Sequence, residues 1–149
     1  MVDHINAALF SSDQQFDADI VIIGSGAGGG IAAEQLTLAG FNVLLLEEGA
    51  WYTRDDFVMQ ERWAYPNLYQ EGAARKTRDQ GIGILQGRTV GGSTTVNWTT
   101  SLRTPQPTLD YWRSEFGLNF QADNDLARFF IKAEQRLSIQ QWPVPPNMS

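Results

Sequence analysis

The chain has 149 residues, 42% of them apolar, which is enough for one modest domain with its own core and too apolar for a disordered chain. Eleven Lys and Arg against 17 Asp and Glu give a net charge of −6, with no basic stripe of the kind that binds nucleic acid, so no nucleic-acid partner is expected. Cysteine is absent and His4 is the only histidine, which excludes disulfides, thiolate metal ligands and a cysteine nucleophile and leaves no metal site to expect.

Residues 1–16 read as a polar leader with a short helix near residues 6–10, and His4 as a solvated residue within it. They lack the basic start and long apolar segment of a signal peptide. No apolar run approaches the ~20 residues of a membrane helix, and a cytoplasmic protein is the expectation. Asp17 to Asp19 lead into Ile20-Val-Ile-Ile23, which is β-branched throughout and too short for a helix. That predicts a strand covered on both faces.

Gly24, Gly26 and Gly29 follow with the spacing G-x-G-x-x-G. In that fingerprint the first glycine permits a tight turn. The second lets a pyrophosphate approach the backbone, and the third lets helix and strand pack closely. A helix over residues 27–39 carries small and apolar residues (Ile31, Ala32, Ala33, Leu36, Ala39) and stops at Gly40. Its unpaired N–H groups would face the phosphates. Val43-Leu-Leu-Leu46 predicts a second strand, ending on Glu47, an acid about 20 residues beyond the glycines as the fingerprint requires.

Beyond Trp51 and Tyr52 the pattern changes. Asp55 or Asp56 is expected to cap a helix carrying Phe57, Met59, Arg62 and Trp63, closed by Pro66. Its aromatics read as packing. Residues 81–85 alternate and meet a second informative stretch, Gly87-Arg-Thr-Val-Gly-Gly-Ser-Thr-Thr-Val-Asn97-Trp98. Glycine-freed N–H groups beside Ser93, Thr94, Thr95 and Asn97 suit a polar ring edge or a phosphate, or else a turn that satisfies its own backbone. Further on, Thr108 or Asp110 starts a short helix ending at Gly117. Asp123 caps a stronger helix from about residue 124 to 137, with Leu126, Phe129, Phe130, Ala133 and Leu137 on a face expected to be core. Residues 142–146 read as extended.

Taken together, the two glycine stretches resemble the N-terminal part of the glucose–methanol–choline (GMC) oxidoreductases, FAD-dependent enzymes that oxidise alcohols. The family's nucleotide-binding start is similar to residues 19–30, its strand-end acid to Leu46-Glu47-Glu48-Gly49, and its first signature to residues 87–97. After Asn97 the sequence looks more like the branch of choline-dehydrogenase-like, gluconate-dehydrogenase-like and long-chain alcohol oxidase-like members. The resemblance implies an α/β fold, a partial Rossmann-like FAD-binding domain with an incomplete sheet. Residues 1–16 would be its leader and residues 17–149 the N-terminal portion of the domain.

It also implies that Gly24, Gly26, Ala27 and Gly28 hold the FAD pyrophosphate and that Glu47 binds the adenosine ribose. Gly92, Ser93, Asn97, Trp98 and Thr100 would lie along the flavin and its ribityl chain. Some members tether FAD through a histidine where Val96 stands, so the cofactor is expected to be FAD held without a covalent bond. The family's catalytic histidine lies near the C-terminus of its full-length members and matches no position here. The chain is therefore expected to be a fragment without activity of its own, its parent enzyme acting on a small-molecule alcohol. Two other readings remain open on these residues. The NAD-binding half of a nicotinamide dehydrogenase accounts for residues 24–47 equally well but leaves 87–97 without a role. The other is a non-enzymatic nucleotide-binding module.

Overall fold

A computed structural model describes residues 4–118 and 123–141. Its chain forms an α/β arrangement in two compact units, one running to Trp98 and the other from Thr99.

The first unit is built on a βαβ motif. Strand β1 (Ile20–Ile23) lies parallel to β2 (Val43–Leu46), with Ile20 opposite Val43 and Ile23 opposite Leu46. The pair is aligned at its entry by Asn42, whose N–H donates to Asp19 Oδ2 (2.8 Å) and whose side-chain amide donates to the Asp17 carbonyl (3.0 Å). Helix α1 (Ala27–Leu38) connects the strands. It ends because Gly40 takes a left-handed φ of +94°. The N–H groups of Gly40 and Phe41 then fold back onto the carbonyls of Thr37 and Leu36, a pattern that closes helices. Both strands and this helix lie within a residue of where the sequence puts them.

The prediction that β1 is covered on both faces does not hold. Ile20 and Ile22 are half-buried under α1, whereas Val21 and Ile23 on the other face are 54% and 87% exposed. Among the described residues α1 is the one helix that packs on this sheet, so one face has nothing against it. A parallel sheet normally needs cover on both faces. We therefore expect the polypeptide 1–149, expressed alone, to elute as aggregates and to unfold in urea without one sharp transition. A monomeric peak with a single cooperative unfolding curve would contradict this.

Residues 53–60 differ from expectation as well. Thr53 and Asp56 form a reciprocal cap around one tight turn. The Asp56 carboxyl accepts from the Thr53 N–H and hydroxyl (2.7 and 2.9 Å), which holds it below the usual carboxylate range. The turn does not propagate: Phe57 is already extended (φ −81°, ψ 100°), and Met59 then adopts a φ of +52°. Helix α2 starts only at Glu61 and runs to Leu68. Pro66 sits inside it rather than ending it. The helix is short enough to tolerate one missing donor, and the Asn67 side chain donates to the Trp63 carbonyl (2.7 Å). The aromatics do pack: Tyr52 and Phe57 meet Trp63 edge-on at 5.3 and 6.2 Å. Residues 81–85 make no strand of their own. They pair briefly with residues 75–77 through Ile84 N–H to Arg75 O (2.8 Å) and Thr77 N–H to Ile82 O (3.0 Å).

In the second unit, helix α3 (Gln106–Phe116) starts directly after Pro105, earlier than predicted, and ends at Gly117 with φ +62°. Pro107 occupies its first turn, where no N–H is needed. Helix α4 (Asp123–Arg136) begins at Asp123 itself, and Glu134 on it receives two bonds from the Arg103 guanidinium (2.6 and 2.8 Å). The face predicted to be core is only partly covered: Phe129 and Leu137 are 55% and 62% exposed. Residues 142–146, read above as extended, lie outside the described residues.

Candidate functional site

Parallel pairing brings the C-terminal ends of β1 and β2 to one edge, the edge where open α/β sheets bind ligands. β1 leaves there through Gly24-Ser25-Gly26 into α1, and β2 leaves through Glu47. The two exits are tied together. Glu47 Oε2 accepts from the Ser25 N–H (2.9 Å) and from the Ser25 hydroxyl (2.6 Å), while Oε1 accepts from the Gly49 N–H (2.8 Å). Burial pushes the Glu47 carboxyl up, but these hydrogen bonds outweigh it and hold the group below its ordinary range. The Glu48 backbone N–H adds a further bond to the same carboxylate.

The turn itself explains the glycine spacing. A Cβ at Gly29 would sit 1.9 Å from the Gly24 carbonyl oxygen and 3.4 Å from Ile22 Cγ2, so only glycine lets α1 lie this close to β1. Nothing lies within 4 Å of where a Cβ would project from Gly24, Gly26 or Gly28, which leaves the space before the helix start open. Gly26 caps α1 with no side-chain bond to its first turn. The first-turn N–H groups therefore have neither an intrahelical acceptor nor a cap.

The 87–97 stretch completes the site. The Arg88 N–H bonds to Leu68 O (2.7 Å), and Thr89, 1% exposed, gives its hydroxyl to Ala50 O (2.9 Å). Gly91 and Gly92 both take positive φ, +91° and +56°, and turn the chain back toward α1. The Gly91 N–H donates to Ser25 Oγ (2.9 Å), and a Cβ on Gly92 would lie 3.0 Å from Gly26 Cα. The Ser93 hydroxyl accepts from the Gly87 N–H (3.0 Å), which closes the loop on itself. Between these walls lies a cleft of about 720 Å³. Gly24, Gly26 and Ala27 line one side, Glu47 and Glu48 a second, and Gly92, Ser93 and Thr94 a third.

Six of the residues singled out from sequence thus meet in one place: Gly24, Gly26, Ala27, Glu47, Gly92 and Ser93. Gly28 lies in the first turn of α1 but not in the wall. Asn97 and Trp98 also lie outside it, Trp98 being 89% exposed. Thr100 belongs to the second unit. His4, read as solvated, is exposed yet packs edge-on against Trp51 at 4.2 Å. Glu48 lines the cleft while its carboxylate takes a bond from Gln70 (2.7 Å) and faces Arg88 (3.4 Å). Sequence reasoning assigned no role to Ser25 or Gly49, and it read the glycine-freed N–H groups at residues 91–92 as facing a ligand or closing a turn, not as bonding to Ser25. The one signal for Ser25 was a hydroxyl residue at the variable position of G-x-G.

The family model described as GMC oxidoreductase matches residues 65–149, more than half of the chain. A long-chain-alcohol oxidase of Arabidopsis thaliana is 40% identical over 98 residues, 66% of this chain and 14% of that protein. A second from the same plant is 41% identical over 102 residues, 68% of this chain and 14% of its own length. An uncharacterised GMC-type oxidoreductase of Mycobacterium tuberculosis is 38% identical over 130 residues, 86% of this chain and 20% of the relative. The chain thus spans about a seventh of the length of the plant relatives it matches.

Proposed function

This chain belongs to the GMC oxidoreductase family, and from that premise we propose that it forms the nucleotide-facing part of an FAD site in an enzyme that oxidises alcohols. The observation that carries this reading is the meeting of both glycine stretches and Glu47 around one cleft. The donor set suits a dinucleotide. Open space fronts the glycine turn, uncapped N–H groups of a 12-residue helix suit a pyrophosphate, and the Glu47 carboxylate in the cleft wall suits a ribose hydroxyl. FAD, when bound, supplies the hydride-accepting chemistry.

The chain's own share is binding and orientation. Gly24, Gly26, Ala27 and Gly28 would hold the pyrophosphate and Glu47 the ribose. Gly92 and Ser93, with Asn97 and Trp98, would run along the ribityl chain and flavin. The plant relatives are named for long-chain alcohols, which makes that the first substrate class to assay. A nicotinamide site would leave the walls built from residues 87–94 without a task.

The test is the colour of the gene's full-length product. It should purify yellow, with a flavin band that apoprotein regains on adding FAD. A colourless product that binds NAD instead would defeat the reading. The flavin should also be held without a covalent bond, because Val96 offers no nucleophile. Acid precipitation is expected to leave the yellow in the supernatant, and colour retained in the pellet would contradict this.

A further inference from the structure

We propose that Ser25 is a positioning residue whose hydroxyl latches the 87–97 loop to the nucleotide-facing turn and holds Glu47 in its acceptor orientation. The inference rests on the FAD reading above and adds to it a residue that the glycine fingerprint leaves unassigned.

Three segments distant in sequence converge on this one oxygen. Ser25 Oγ gives its proton to Glu47 Oε2 at 2.6 Å and receives the Gly91 N–H at 2.9 Å. The first distance is that of a hydroxyl bonded to an ionised carboxylate. A hydroxyl whose proton is committed to an anion is polarised, and becomes a better acceptor for the Gly91 N–H. The two bonds therefore strengthen each other.

The geometry explains why a latch is needed at that point. The loop is anchored further back through Thr89 and Val90 to Ala50. Gly91 and Gly92 then turn with positive φ, closed on the anchor by the Gly92 N–H to Thr89 O (2.7 Å), and the bond from the Gly91 N–H to Ser25 Oγ ties that turn to the first glycine stretch. Gly92 forms a cleft wall beside Gly26, where a Cβ would lie 3.0 Å from Gly26 Cα. Ser25 lies between the two, bonded to the residue just before Gly92. It also supplies two of the hydrogen bonds that orient Glu47. The bonds to Glu47 Oε2 and from the Gly91 N–H depend on the side chain, so substitution at 25 removes both and leaves the backbone bond to Glu47 in place.

The experiment uses the gene's full-length product with Ser25→Ala, Ser25→Gly and Ser25→Thr. Hydrogen exchange at the Gly91 amide is measured without FAD, and FAD affinity is measured by flavin fluorescence. Alanine and glycine are expected to speed Gly91 exchange about tenfold, through loss of its bond to the hydroxyl, and to weaken FAD about tenfold, through loss of the hydroxyl's bond to the Glu47 carboxylate. Threonine keeps the hydroxyl and should restore both to within about threefold. Rescue of both readouts separates positioning from a general loss of stability. Wild-type exchange in Ser25→Ala overturns the latch. Faster exchange with unchanged FAD affinity overturns its service to the cofactor, and a threonine variant as damaged as alanine overturns the role of the hydroxyl. If the wild-type protein binds no FAD, the FAD reading falls and with it the cofactor half of the proposal, while the exchange rates still decide the latch.

Discussion

Gly29→Ala should leave the full-length protein colourless and mostly insoluble. The added Cβ would stand 1.9 Å from the Gly24 carbonyl oxygen and 3.1 Å from its carbon, far inside any allowed contact. Neither neighbour is a flexible side chain that can swing away. Both are backbone of the turn that joins β1 to α1. Relief requires α1 to lift from β1, which opens the contact with Ile22 and moves the helix start away from the cleft. Overpacking typically costs about 1–3 kcal/mol where side chains can yield, and here the obstacle is main chain, so the cost lies at or above the top of that range. Gly30→Ala is the matched control. Its Cβ would meet only the Ser25 carbonyl oxygen, at an ordinary 3.7 Å. Alanine is favoured over glycine inside a helix by about 0.5–1 kcal/mol, so this variant should stay yellow and melt slightly higher. The comparison needs only soluble yield, flavin absorbance and a thermal melt. Equal behaviour of the two variants would mean that α1 does not pack on β1 as described.

That pair also shows what a sequence can and cannot disclose. The spacing of Gly24, Gly26 and Gly29 is a local steric requirement, and so is the run of β-branched residues before it. Both are written within a few residues, and β1, α1 and β2 were legible for that reason. Glu47 was legible because the βαβ geometry places the end of β2 beside the glycine turn. Residues 53–66 misled for the opposite reason. Nothing in the sequence announces that Phe57 turns extended and Met59 takes a positive φ, and without that the Asp56 cap reads as the start of a longer helix. The alternation at 81–85 assigned no element, and the segment makes only a brief pairing with residues 75–77. The exposed face of β1 was hidden too, since β-branched residues state a preference for burial and not whether anything is there to bury them. Ser25 escaped notice because its importance is set by Gly91, 66 residues away, and such a contact exists only once the chain has folded.

Glu47→Ala should weaken FAD by about tenfold to a hundredfold in the full-length protein. Glu47 lines the cleft and its hydrogen bonds hold the carboxyl below its ordinary range, so an ionised carboxylate faces the place where a ribose hydroxyl would donate. One hydrogen bond to an ionised group contributes roughly 1.5–3 kcal/mol, and each 1.4 kcal/mol is about tenfold in affinity. Glu48→Ala should cost less than about threefold. Its carboxylate serves Gln70 and a half-exposed Arg88, and exposed pairs of that kind contribute little. A silent Glu47→Ala beside a damaging Glu48→Ala would reverse the assignment.

Acid sharpens the test. The native Glu47 carboxyl lies below its ordinary value, so the unfolded chain takes up this proton before the folded one does. Its contribution is complete above the ordinary glutamate value of about 4.3 and is lost as pH falls through the lower native value. FAD titrations should therefore show wild-type affinity holding steady down to the ordinary carboxylate range and dropping only beneath it. In Glu47→Ala that particular drop should vanish, and the two affinity curves should converge in acid. Curves that stay parallel through the acid range would mean that Glu47 does not act as an ionised acceptor for the cofactor.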